Sequence, residues 1–140
     1  MATKEIPFYN VDQSVGKGGA NKTDDILLIQ FFLTEIAKVP PHPLPPPTTP
    51  LPVNGSPAAP LVEWIQWFQN SVKKAGKIIV ADGRVDRASG QGGSYYVTDY
   101  TMVHINVSYR RRFRRSHDAL ENASNCPMAL KTKFNADDVT

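Results

Sequence analysis

The stretch PPHPLPPPTTPLPVNGSPAAP, residues 40–60, holds ten of the twelve prolines in the chain. Proline fixes φ at about −65° and has no amide hydrogen to donate, so this run excludes both helix interior and sheet interior. The physical expectation is a polyproline II excursion, with a Pro-rich recognition ligand as the sharper alternative. Regular structure must therefore lie on either side of it, within a length of 140 residues that suggests a single domain, 1–140.

Upstream, residues 1–15 read as an irregular lead-in, and Gly16, Gly18 and Gly19 mark a loop. Asn21 or Thr23 suits a helix cap, and Asp24 and Asp25 suit the positive end of the helix dipole. The run DDILLIQFFLTEIAK places Ile26, Ile29, Leu33 and Ile36 at helical spacing. Leu27, Leu28, Phe31 and Phe32 widen its apolar surface, so most of this helix is expected to be buried. Downstream, Ser56 is a candidate cap, with Pro57 or Pro60 in the first turn of a second helix. Leu61, Ile65, Phe68 and Val72 share one face, Trp64 and Trp67 flank it, and Gly76 ends it after Lys73 and Lys74.

Beyond that helix, KIIVADGRVD reads as a short extended piece and a turn, and SGQGGS as a flexible loop. MVHINVSY is ambiguous. Val103, Ile105, Val107 and Tyr109 alternate with polar residues as in a strand, which β-branched propensity favours. Met102, Ile105, Tyr109 and Phe113 also fall at helical spacing, with Thr98 as a candidate cap. In the tail, Pro127 suits a helix start with Leu130 on its apolar side.

Several function classes find no support. Apolar residues at 41% suffice for a modest core, and no apolar run approaches the roughly 20 residues of a membrane span. The N-terminal MATKEIPFYN has no apolar signal core, so the expectation is synthesis in the cytoplasm. Action outside it would need a non-classical export route or a phage-like particle. Cys126 is the single cysteine, which excludes internal disulfides and reads as a free buried thiol rather than a nucleophile. No Gly-x-Ser-x-Gly elbow, His-Glu-x-x-His or P-loop occurs. His42, His104 and His117 are scattered, and the adjacency of His117 and Asp118 does not make a dyad. Asp82 and Asp86 have a spacing open to a carboxylate pair, but DGRVD lacks the oxygen density of a calcium loop and reads first as a turn. No catalytic residue, metal or cofactor is expected.

The net charge of +3 comes from one cluster, Arg110, Arg111, Arg112, Arg114 and Arg115; without it the chain would carry −2. Phe113 is the one aromatic among them, so a base-stacking surface is lacking and an acidic protein partner is the better expectation than nucleic acid.

Taken in order, SVGKGGANKTDDILLIQFFL, LVEWIQWFQN, ADGRVD and YTMVHIN resemble the peptidoglycan-binding-like domain, the small three-helix module attached to many cell-wall hydrolases. Ile29-Gln30 with Leu33, the pair Phe68-Gln69, the turn Asp82-Gly83-Arg84-Val85, and Thr101 with Ile105 and Asn106 carry the likeness. The Gly-rich opening and DGRVD are similar to versions near phage endolysins and type VI secretion proteins. The proline-rich segment stands where that family usually has a short loop with its own Asp-Gly turn. The DRASGQGGSYYVTDY insertion and the Arg-rich C-terminal third have no counterpart in the minimal module.

The resemblance implies an all-α fold: a compact three-helix bundle over 14–110, a Pro-rich loop at 40–60 and a basic C-terminal extension at 111–140. It makes 99–113 a helix. Gly83 is then expected at positive φ, with Asp82 bonding the turn backbone and Val85 plugging the core. It implies a non-catalytic module recognising peptidoglycan or a related cell-wall polymer, with Trp64, Trp67 or Tyr95 stacking on sugar or peptide and Gln69, Asp82 and Arg84 making polar contacts. For both tryptophans, core packing is the competing expectation. The alternative is a structural subunit of a phage-tail-like injection apparatus or self-assembling fibre. There Arg110, Arg111, Arg114 and Arg115 would meet acidic patches of homologous subunits, such as Asp137 and Asp138.

Overall fold

The computed structural model describes residues 6–89 and 100–134. Its central element is α1, Thr23–Lys38, whose Ile26, Leu28, Ile29, Phe32, Leu33 and Ile36 are all buried. A helix apolar on most of its circumference needs neighbours on several sides. It finds them in α2 (Leu61–Lys74), α3 (Thr101–Arg112) and α5 (Met128–Lys133). With α4 (Arg114–Asp118) and a 3-10 turn at Leu120–Asn122, the described chain is mostly helical, an all-α class carrying one two-stranded ladder. Among the described residues no helix is long and apolar enough to cross a membrane.

The N-terminus of α1 is not capped by Asn21 or Thr23. Lys22 occupies the cap without a side-chain bond. Asn21 instead holds the glycine loop, accepting from Gly16 N–H (2.7 Å) and donating to the Gly16 and Gly19 carbonyls from φ +56°. Asp25, in the first turn, is buried and accepts from the amides of Asp12 (2.9 Å) and Gln13 (3.0 Å). Ser56 likewise does not cap α2, which begins after Pro60; its hydroxyl accepts locally from Ala58 N–H. The far end of α2 closes as its sequence suggests. Gly76 takes φ +95°, and Lys77 N–H reaches back to the Val72 carbonyl, satisfying one of the terminal acceptors.

The ADGRVD corner turns the chain from α2 into a short strand. Gly83 has φ +74°, Asp82 Oδ1 accepts from Arg84 N–H (3.0 Å), and Val85 is fully buried. β2 (Arg84–Val85) pairs antiparallel with β1 (Val15–Gly16), Val15 opposite Val85. A buried glutamine braces the turn. Gln69 Oε1 accepts from Gly83 N–H (2.9 Å), and its Nε2 donates to the Arg84 carbonyl, Asp82 Oδ1 and Thr101 Oγ1. Gln30 on α1 repeats the device at a second Asx-Gly corner, accepting from Asn54 and Gly55 N–H and donating to the Ser56 carbonyl. Each glutamine sits on a helix and fills the orphan donors of a glycine turn at φ near +75°, namely +76° at Gly55 and +74° at Gly83.

The segment MVHINVSY is helical, within α3. Met102, Ile105 and Tyr109 are buried, whereas Val107, which the strand alternation places inside, is 48% exposed. The core does not stop at residue 110: Leu120, Ala123, Cys126 and Leu130 join it, and so do Tyr9 and Val11, Tyr9 packing against His117 and Phe134. In the described part of the lead-in Tyr9, Val11 and Val15 are buried, and the Tyr9 backbone is held on both sides by the Asn106 side chain (2.9 and 2.8 Å).

Candidate functional site

Residues 39–60 carry no helix or strand, yet they are fastened along their length. Trp67 Nε1–H donates to the Leu44 carbonyl (3.0 Å) and Trp64 Nε1–H to the Thr49 carbonyl (2.8 Å). Arg112 holds the entry, donating from Nε to Val39 O (2.7 Å) and from Nη2 to Pro41 O (2.8 Å), while its Nη1 meets Ser108 Oγ (2.6 Å). The run cannot donate backbone hydrogen bonds at its prolines, so donors from the helices meet its carbonyls instead. His42 stands edge-on to Trp67 at 5.6 Å between ring centroids, and Arg112 lies 3.4 Å from its Nδ1.

This arrangement walls off a groove of about 640 Å³ between the second half of α2, the outer face of α3 and Pro41–Pro43. Its size falls within the roughly 300–1,000 Å³ of ligand-binding clefts. Phe68, Val72, Val103 and Val107 supply apolar walls; Lys77, His104 and Arg111 stand among the polar lining; no carboxylate lines it among the described residues. Ser71, on α2, is 6% exposed and its Oγ has no hydrogen-bond partner, the one buried side-chain polar atom in that condition among the described residues. Such an orphan costs about 1–3 kcal/mol, and Ser71 is among the residues that line the groove. Arg111 is exposed, and neither it nor its half-buried neighbour Arg112 has a carboxylate partner among the described residues. Burial, then the charge of Arg111, pushes Arg112 below the usual guanidinium range, though not far enough to discharge an arginine.

The residues singled out from sequence separate into distinct places. Trp67 borders the groove, but at 6% exposed it has no open face for a sugar ring, and Trp64 at 5% has none either; core packing against the proline run accounts for both. Gln69 is fully buried with its amide committed to the turn, Asp82 bonds the same turn through Oδ1, and neither lines the groove. Arg84 forms an ion pair with Asp86 (2.8 Å), away from the groove lining. Tyr95, Thr98, Asp137 and Asp138 lie outside the described residues. Of the arginines, Arg110 pairs with Asp118 (2.8 Å), whereas Arg110, Arg111 and Arg114 with Val107 line a shallower depression continuous with the groove through Arg111 and Val107; Arg115 is exposed elsewhere.

The candidate catalytic groups are internally engaged. Partial burial alone would raise Asp86, but hydrogen bonds from Ser14 (2.6 Å) and Arg84 hold its carboxyl below the usual range, which suits a fixed anion rather than a proton donor. His117 and Asp118 do come together, Nδ1 to Oδ1 at 3.1 Å, despite being neighbours in sequence. Nε2, the atom a general base would turn to its substrate, meets Asn106 Oδ1 at 3.0 Å, and the ring is 1% exposed. Burial pushes His117 below its ordinary 6.5, with Asp118 acting against it. Cys126 is buried and its thiol is pushed up to about 11, chiefly by that burial. Among the described residues no cluster of His, Cys, Asp and Glu can hold a metal.

No family model, curated protein or solved structure matches the chain. Sequence reading missed Ser71 and Arg112 as site residues. Ser71 occupies an ordinary helical position, and Arg112 was lost in the run of five arginines; only the fold distinguishes them.

Proposed function

We propose that the chain is a non-catalytic binding module for peptidoglycan or a related cell-wall polymer, and that it binds through the groove between α2, α3 and Pro41–Pro43. In this reading α1, α2 and α3 form the three-helix bundle of the peptidoglycan-binding-like domain, 40–60 is its Pro-rich loop and 111–140 its basic extension. The observation that carries the reading is the groove itself, where among the described residues the Ser71 hydroxyl has no hydrogen-bond partner and Arg111 no carboxylate partner. The glycine corner braced by Gln69 between α2 and α3 supports the likeness, since it falls where the family motif puts it. Retention on purified sacculi at moderate salt tests the proposal. Wild type is expected to co-sediment and Val107→Glu, which sets a carboxylate at an exposed groove position, to remain in solution; no retention of wild type refutes it.

A second reading is a structural subunit of a phage-tail-like or fibrous assembly. Ile78 at 89% and Val80 at 73% are exposed just past the end of α2, and Arg111 and Arg114 share an exposed basic depression. Both suit docking on neighbouring copies. Size-exclusion chromatography decides: concentration-dependent growth that Ile78→Lys abolishes supports it, and a constant monomer at high concentration removes it.

A further inference from the structure

The groove has a chemistry more specific than its size. A sugar-reading cleft needs an open aromatic face and side-chain amides or carboxylates to bond hydroxyls. Here the indole of Trp67 is packed under the proline run, and among the described residues no Asp, Glu, Asn or Gln lines the cleft. What the cleft does present is aliphatic and aromatic wall, one buried hydroxyl without a partner, and a cationic end. Among the described residues that end has no carboxylate partner. Arg110, just outside it, is neutralised by Asp118, whereas Arg112 is held by carbonyl oxygens and a serine, and Arg111 bonds to no described residue. Two adjacent guanidiniums with no carboxylate partner among the described residues favour an anion, and a guanidinium matches the planar two-oxygen geometry of a carboxylate.

We infer that the groove binds the free carboxyl end of a short apolar peptide, with the carboxylate against Arg111, the terminal side chain over Phe68, Val72 and Val103, and a peptide group bonded to Ser71 Oγ. The polymer is then read through its peptide and not through its glycan. This rests on the groove being the recognition site, though not on the polymer being cell wall. A fatty acid shares the carboxylate on an apolar stem but lacks the amide that would meet Ser71.

Titration of the full chain, followed by backbone amide shifts, separates these possibilities. The probes are acetyl-alanyl-leucine, its C-terminal amide, octanoate and a chitin tetrasaccharide. The acid is expected to shift Ser71, Val103 and Arg111 saturably and to bind about tenfold tighter than the amide, the scale of one charge-assisted contact. Octanoate is expected to bind more weakly than the peptide acid, and the tetrasaccharide to leave the groove unshifted. Arg111→Gln should erase the preference for acid over amide. Ser71→Ala should weaken acid and amide alike while raising rather than lowering the melting temperature, because a buried hydroxyl without a partner costs the fold its desolvation. Equal binding of acid and amide, octanoate matching the peptide, groove shifts with the tetrasaccharide, or no saturable binding of the acid each overturn the inference. Sacculus retention without peptide binding refutes this inference alone; peptide binding without sacculus retention refutes the cell-wall reading alone.

Discussion

A Cβ built on Gly16 lies 2.3 Å from the Gly83 carbonyl oxygen, at a backbone φ of +104°. Backbone cannot retreat as a side-chain tip can, so Gly16→Ala is expected to lose roughly 2–4 kcal/mol, and Gly83→Ala about 1–2 kcal/mol. At Gly83 the nearest obstacle is a methyl of Val62 at 3.0 Å, which supports that ranking; urea unfolding midpoints measure it, and equal losses would contradict it. The Asp82-Gly83 turn was legible in sequence because its chemistry is local: a carboxylate two residues from the amide it bonds, and a glycine where φ is positive. Gln69, Gln30 and Asn106 were not legible as braces, because their partners lie elsewhere in the chain, 97 residues away for Asn106 and Tyr9. Asp118 is held below its ordinary 3.8, first by the Arg110 hydrogen bond. A carboxyl depressed in the folded state adds stability above its unfolded value, and that stability is lost as pH falls through the folded value. Arg110→Gln is therefore expected to lower stability at neutral pH and to shrink the further loss between about pH 5 and pH 2; chemical denaturation across that range checks it, and an unchanged slope would count against the pairing.

At the scale of elements, the helix α3 shows how packing overrides propensity. Its strand-like alternation is real in sequence, but α1 presents a broad apolar surface that a stripe of Met102, Ile105 and Tyr109 covers and an alternating set would not. The proline run was legible as a break in regular structure, from its prolines alone. That it is docked was not, because the docking is done by donors on α2 and α3. Since the two tryptophans of the chain both lie against this run, their emission reports its docking. Native fluorescence is expected to be blue-shifted and weakly quenched by acrylamide. Arg112→Gln, which removes the bonds to Val39 and Pro41, should raise quenching while far-ultraviolet dichroism keeps its helical signal. Quenching that does not change would mean that Arg112 does not hold the run. The groove shares this history: its walls come from Ile36 to Arg112 in sequence, so no local pattern announced it.

For the whole molecule, one hydrophobic cluster runs from Tyr9 to Leu130, and the segments expected as lead-in and extension are parts of it. Unfolding should therefore be a single cooperative transition. Cys126 is a probe of that unity, buried in the cluster with its thiol raised to about 11. A thiol-specific reagent at pH 8 is expected to react slowly with the native chain and rapidly only across the urea transition that abolishes helical dichroism; fast labelling at low urea would show the C-terminal helices opening separately. The docked proline run, α2 and α3 together supply the walls of one cleft, and the proposed recognition happens in that cleft. The most direct measurement is an amide-shift map of the full chain titrated with soluble muropeptides from digested sacculi. Saturable shifts gathered at Ser71, Val103, Val107 and Arg111 are the predicted result; an unperturbed groove, or shifts centred on Asp82–Arg84, would contradict it.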